Sequence, residues 1–209
     1  MRLLAQFIGR MMALYVRLIA ATCRVEGARP TQDQAVLAFW HESNLVAAIA
    51  AHRLRRHRYH LSFSTQTTRG LVMDTMLSAL DAGSVPLPVE GDRAGAARLT
   101  LEMARLGREG ASVVISPDGP LGPYRRAKPG ALIVAREAGI PLQPWAVAVR
   151  PALRLQRRWD RHILPLPFCR LRVEEADPIH VAPRERLRPV LERLQAALDD
   201  VAERADAGF

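Results

Sequence analysis

The sequence predicts an α/β fold: a single domain with a mostly parallel sheet covered by helices over residues 28–209, preceded by an amphipathic N-terminal helix within 1–27. Three observations carry that expectation. Short apolar runs such as Val113–Ser116 and Trp145–Val149 read as strands buried on both faces, the pattern of parallel strands. Between them fall segments with apolar residues at helical spacing, so strand and helix signals alternate. Finally, 209 residues with 49% apolar content suit one domain with a full core better than two.

The elements are read in chain order. The opening segment MRLLAQFIGRMMALYVRLIAATCR has no acidic residue, and its arginines fall at Arg2, Arg10, Arg17 and Arg24. At 100° per residue these lie near one stripe, while Leu3, Leu4, Phe7, Ile8, Met11, Leu14, Leu18 and Ile19 supply most of the remaining surface. The pattern fits an interfacial helix whose arginines reach toward lipid headgroups. An ordinary helix packed on the domain, with its arginines in water, is the alternative. Charge recurring through the apolar region argues against a signal peptide, and Arg10 and Arg17 argue against a spanning helix.

After Val25-Glu26-Gly27 a short polar turn leads to AVLAFWH, which reads as a buried strand ending at His41, with 43–56 as a helix, LSFST as a second strand and Leu71–Leu80 as a helix. SVPLPVEGDR offers a short strand and a glycine turn. Helices at 95–108 and 130–138 then flank a strand at 111–116. The prolines of IPLQPWAVAV suggest an edge strand or a bent entry. The stretch 150–168 reads as an arginine- and proline-rich loop and CRLRVEEA as a half-exposed strand, after which Pro183 opens a last amphipathic helix.

The formal charge of +9 comes almost wholly from arginine, Lys128 being the one lysine, and it favours anionic partners. Nucleic acid is disfavoured as that partner. Aromatic residues make up 5% of the chain, and no aromatic-basic interleaving, zinc finger or helix-turn-helix signature occurs. Cys23 and Cys169 read as separate buried thiols in a cytosol-facing protein. No metal site emerges, because His, Cys and carboxylates never cluster at ligand spacing. Walker A, dinucleotide and GxSxG signatures are also missing.

Two places stand out for chemistry. His41 ends an apolar strand, where an imidazole can take a proton from a hydroxyl near neutral pH; a histidine bonded in the core or capping the next helix is the alternative. VVISPDGPLGPYRRAKPG runs a buried strand into a loop that proline and glycine hold in shape, with a basic flank. Arg93, bracketed by Gly91 and Gly95, can reach a phosphate or simply sit on a surface turn.

Taken in order, FWHESN, STQTTRG, VEGDRAGAARL, ISPDGPLGPYRRAKPG, AGIPLQPWAVAV and WDRHILPLPF resemble the small bacterial branch of the lysophospholipid and glycerol-phosphate acyltransferase superfamily, from about Val36 to Val173. The resemblance implies an O-acyltransferase moving a fatty acyl group from acyl-coenzyme A or acyl-carrier protein to a hydroxyl of a lysophospholipid or related glycolipid. On it, His41 is the general base and Asp118 orients the site. Arg93, Gly119, Arg125, Arg126 and Asn44 surround the acceptor. Membrane lipids are the partners, no metal or redox cofactor is needed, and the place of action is the cytoplasmic face of the inner membrane.

One departure matters: the family pattern puts an aspartate five positions after the histidine to orient the imidazole, and here that position is Val46. Asn44, Asp118 or a backbone carbonyl is then the expected substitute. A non-catalytic lipid-binding protein on the same fold, or a lipid esterase, is the alternative reading.

Overall fold

The computed structural model describes residues 2–27, 34–53, 59–63, 68–86, 93–119 and 121–209, with the backbone alone for 59–63, 69, 86 and 93. The described elements are α1 (Arg2–Thr22), β1 (Arg24–Gly27), β2 (Val36–Ala38), a 3-10 turn (His41–Ser43), α2 (Asn44–Arg53), β3 (Tyr59–Phe63), α3 (Thr68–Ser78), β4 (Gly83–Pro86), α4 (Arg93–Arg108), β5 (Ser112–Ile115), α5 (Gly130–Ala138), β6 (Leu142–Arg154), β7 (Ile163–Glu175) and α6 (Leu187–Ala207). The strands form one sheet in the order β1-β7-β6-β2-β5-β3-β4, parallel at every pairing except β6 with β7. This is the α/β domain expected from the alternation of strand and helix.

Side chains alternate across the sheet and feed two cores. Leu37, Phe39, Trp145, Val147 and Val149 face α1, α2 and α3. Val36, Ala38, Trp40, Ala146 and Ala148 face the layer that includes α5 and α6. Helices thus cover both faces, which is what strands as uniformly apolar as β2 and β5 require. Cys23 and Cys169 are free and buried, as the sequence suggests.

α1 combines the two alternatives read from its sequence. Its small residues Ala5, Gly9, Ala13, Val16 and Ala20 are buried against the domain. Leu3, Leu4, Phe7, Met11, Leu14 and Leu18 point outward, with Leu3 82% exposed. Arg10 and Arg17 lie along the border between those faces, and Arg17 donates to the Ala79 carbonyl at the end of α3. The helix is long and apolar enough to cross a bilayer by length and composition, yet one side of it is committed to the fold.

Several expectations are corrected. Residues 24–27, expected within the N-terminal helical segment 1–27, instead pair with β7 as β1. The last helix starts at Leu187, after a turn at 183–186. IPLQPWAVAV is no edge strand: β6 lies between β2 and β7, and Pro144 sits at its last register pair with β2. Most of all, 150–168 is not loop but the outer half of the β6–β7 hairpin, joined by a turn at 155–162. β2 ends opposite Pro144, so beyond it β6 has one ladder partner, and a strand with a free side accommodates Pro151 and exposed arginines.

Candidate active site

The parallel strands β2 and β5 end side by side, so the loops after them, 39–44 and 116–129, meet at the carboxyl end of the sheet. Asp118 ties them together. Its fully buried carboxylate accepts the His41 backbone N–H at 2.9 Å and the Arg125 backbone N–H at 3.2 Å. Burial is the dominant influence on Asp118 and raises its carboxyl above the usual range, despite those N–H donors. Asp118 therefore holds the His41 main chain and does not touch the imidazole ring.

The ring is oriented by a residue the sequence reading passed over. Asp160, at the tip of the β6–β7 hairpin, is fully buried, and its Oδ2 lies 3.0 Å from His41 Nδ1. Arg158 grips the same carboxylate, with Nε to Oδ1 at 2.8 Å and Nη2 to Oδ2 at 2.9 Å. Burial alone would raise the Asp160 carboxyl. The hydrogen bonds and charge of Arg158, with His162 and His41, outweigh it and hold the group at about 2. An ionised carboxylate at Nδ1 fixes the proton there and leaves Nε2 as the basic nitrogen.

The neighbours keep Nε2 usable. A Cβ on Gly119 would stand 3.0 Å from His41 Cδ2 and 3.8 Å from Nε2, so glycine at this position preserves the space beside the ring. Trp159 flanks the imidazole at a centroid distance of 5.0 Å and a tilt of 46°. It fits because Gly122, at φ +77°, has no Cβ to meet the indole, which would lie 2.8 Å away. The glycines of the PDGPLGP loop are thus matched to the histidine and to the hairpin that orients it.

A second buried acid fastens the periphery. Glu42, 2% exposed, accepts hydrogen bonds from Tyr124 Oη at 2.7 Å, Arg125 Nε at 3.0 Å and Arg154 Nη1 at 2.8 Å. Arg161, on the hairpin turn, stacks over the Tyr124 ring at 4.7 Å. Loop 116–129 and hairpin 155–162 are therefore pinned to the same turn that carries His41.

The site residues expected from the sequence separate as follows. His41, Asp118 and Gly119 come together. Asn44 Oδ1 accepts the Ser116 hydroxyl at 2.6 Å and braces the base of the loop. Arg125 is engaged by Glu42, leaving exposed Arg126 as the arginine of that pair without a carboxylate partner among the described residues. Arg93 is the first residue of α4, with its side chain outside the described residues, as is Gly91. Val46, where an aspartate was sought, is fully buried in the core on α2.

His41, Asp160 and His162 each offer one ligand atom, all within 4.8 Å of one another. The Arg158 guanidinium already occupies both Asp160 oxygens, so a divalent ion would compete with a fixed cation. Burial lowers the His162 imidazole below its usual range, and its Nδ1, 3.5 Å from Asp160, makes no hydrogen bond. The arrangement suits an oriented general base more directly than a metal centre.

No family model matches the chain. Over 71 residues it is 30% identical to an uncharacterized protein of Rickettsia prowazekii, a match covering 34% of this chain and 32% of that protein. The chain thus spans about a third of that relative's length. The structure is similar to the crystal structure of the 1-acyl-sn-glycerophosphate (LPA) acyltransferase PlsC from Thermotoga maritima, with a TM-score of 0.60 over 96% of this chain and 81% of that one. Identity is 11%, and the likeness establishes that this chain has the α/β fold of that acyltransferase.

Proposed function

We propose that the protein is an O-acyltransferase that moves a fatty acyl group from a thioester donor, acyl-coenzyme A or acyl-carrier protein, to a hydroxyl of a lysophospholipid or related glycolipid. The observation that carries this reading is the His41–Asp160 pair, with Nδ1 bound and Nε2, beside Gly119, without a hydrogen-bond partner among the described residues. The shared fold with an acyltransferase that acts on an acylated glycerophosphate supports the substrate class.

In the proposed reaction the acceptor hydroxyl donates its proton to His41 Nε2 as its oxygen attacks the thioester carbonyl. The imidazolium so formed is stabilised by the Asp160 carboxylate on Nδ1. The tetrahedral intermediate then collapses, the carbon–sulfur bond breaks, and the leaving thiolate takes the proton back from Nε2. An ester is formed, a thiol is released, and His41 returns to its starting state. No metal or redox group enters this scheme.

The non-catalytic alternative rested on the missing acid at position 46, and Asp160 supplies an acid from elsewhere in the chain. The outward apolar face of α1 supports action at a membrane surface, which we place at the cytoplasmic face of the inner membrane, with α1 lying in the interface. α1 then serves as the membrane-facing element, and the chain from β1 onward as the catalytic domain.

The test is acyl transfer by wild type and His41→Ala, each given labelled acyl-coenzyme A and acyl-carrier protein with a bacterial lipid extract and read by mass spectrometry. A new acylated lipid that disappears in the variant is the expected result. Free fatty acid in its place would assign hydrolysis instead. Equal acylated product from the folded variant would overturn the role of His41.

A further inference from the structure

Three arginines stand in one row across the sheet, where like charges directly opposite one another destabilise a ladder. Arg24 of β1 is in register with Arg170 of β7, which is in register with Arg150 of β6. Their neighbours Cys23, Val25, Cys169, Leu171 and Val149 pack into the core on the α1–α3 side, so the three guanidiniums project from the α6 side. All three residues are exposed, and none has a carboxylate within ion-pair distance among the described residues. The Phe209 ring lies 5.2 Å from the Arg150 guanidinium and 5.4 Å from that of Arg170, a contact that leaves the charge in place. Arg150 also donates to the Asp206 carbonyl at 3.4 Å.

The row lines a cavity of about 920 Å³. Its other walls combine apolar residues, including Pro151, Leu153 and Ile163, with Thr22 and the acidic Asp206, and Phe168 on its lining is 79% exposed. Arg154 lines the same cavity and reaches Glu42, the residue after His41, so the cavity borders the flank of the candidate active site. Adjacent strands are about 4.8 Å apart, a spacing at which neighbouring guanidiniums can converge on one phosphate group and bind it bidentately.

We propose that the Arg24–Arg170–Arg150 row is a binding site for a phosphate ester whose phosphate group lies on the arginines and whose carbon portion lies against the apolar wall. The bound dianion would offset the repulsion built into the row. Phosphate esters of this kind can come from a lipid or from a nucleotide-bearing thioester donor, and the recognition chemistry is shared. The proposal stands on the cavity and does not depend on turnover at His41.

Isothermal titration of the full chain with inorganic phosphate, coenzyme A and short-chain phosphatidic acid, each below its aggregation concentration, tests it. The wild type should bind at least one of them, with a Tm that rises on ligand addition, and binding should weaken as salt is raised. Stronger binding of coenzyme A assigns the donor as the source, and stronger binding of phosphatidic acid assigns the lipid. Equal binding of all three means that the phosphate group alone is read, which also supports the site. Arg170→Gln, at the centre of the row, should weaken binding by about tenfold or more while leaving the ligand-free Tm unchanged or higher, because repulsion is relieved. Arg170→Lys should retain part of the binding. Arg184→Gln, outside the cavity, should bind as wild type. Failure of the wild type to bind any probe, or undiminished binding by folded Arg170→Gln, would overturn the proposal.

Discussion

Asp160→Asn probes the pairing that orients the imidazole. The substitution keeps the shape of the side chain and removes its charge, and Arg158, 45% exposed, can turn to water. Nδ1 and Oδ2 are 3.0 Å apart, which puts the two charge centres about 4 Å apart once His41 holds the proton. At an effective dielectric constant of about 20 the attraction is about 4 kcal/mol. Arg158 shares the carboxylate, which reduces it to about 2–4 kcal/mol. That interaction arises only as the imidazolium forms, so its loss should fall on kcat, about 30-fold to 10³-fold, with KM changed by less than about twofold. Release of free thiol from acyl-coenzyme A, followed against acceptor concentration, gives both constants. A double variant, His41→Ala with Asp160→Asn, should be no slower than His41→Ala alone, since the acid acts through the base. An Asp160→Asn enzyme within about threefold of wild type, or a double variant far slower than His41→Ala, would refute this reasoning.

Further outcomes follow from neighbouring residues. Gly119→Ala should lower kcat on the order of tenfold with little change in Tm, because its Cβ presses on His41 Cδ2 from 3.0 Å. Glu42→Ala removes the buried partner of Arg125 and Arg154 and should cost about 2–4 kcal/mol, read as a Tm lower by roughly 5–10 °C. Asp160 also imposes an acid limit on stability: its carboxyl falls from 3.8 to about 2 on folding, so the unfolded chain takes up the proton first. The stabilisation is complete above about pH 4 and is lost as pH falls through about 2. Screening at the open side of the site holds it to on the order of 1 kcal/mol. Acid titration of wild type against Asp160→Asn should show that difference shrinking over this window, and a constant difference would contradict it.

The strands and helices around His41 were readable because their apolar runs and spacings are local. The loop Pro117–Pro123 announced itself by composition, and its role beside His41 follows from β2 and β5 being neighbours. Asp160 was not readable in the same way. It lies 119 residues from His41 and reaches it because β6 and β7 extend past the sheet and their turn folds back over the strand ends. The arginines and prolines that made 150–168 look like loop are accommodated by a hairpin with one free side. A signal was present nonetheless, since Asp160 is the one acidic residue between Glu137 and Glu174, set in a strongly basic stretch. The α1 pattern was ambiguous for another reason: its small buried face and its large outward face differ in side-chain size more than in hydrophobicity, so composition alone does not separate them.

The most direct test of the account is acceptor-dependent thiol release. Purified wild type in mixed micelles, given acyl-coenzyme A or acyl-carrier protein, should release thiol only when a lysophospholipid is added, in step with formation of the diacyl product. His41→Ala should release none above background. Thiol release that proceeds equally without any acceptor, or that survives in folded His41→Ala, would contradict the claim that His41, oriented by Asp160, deprotonates a lipid hydroxyl for acyl transfer.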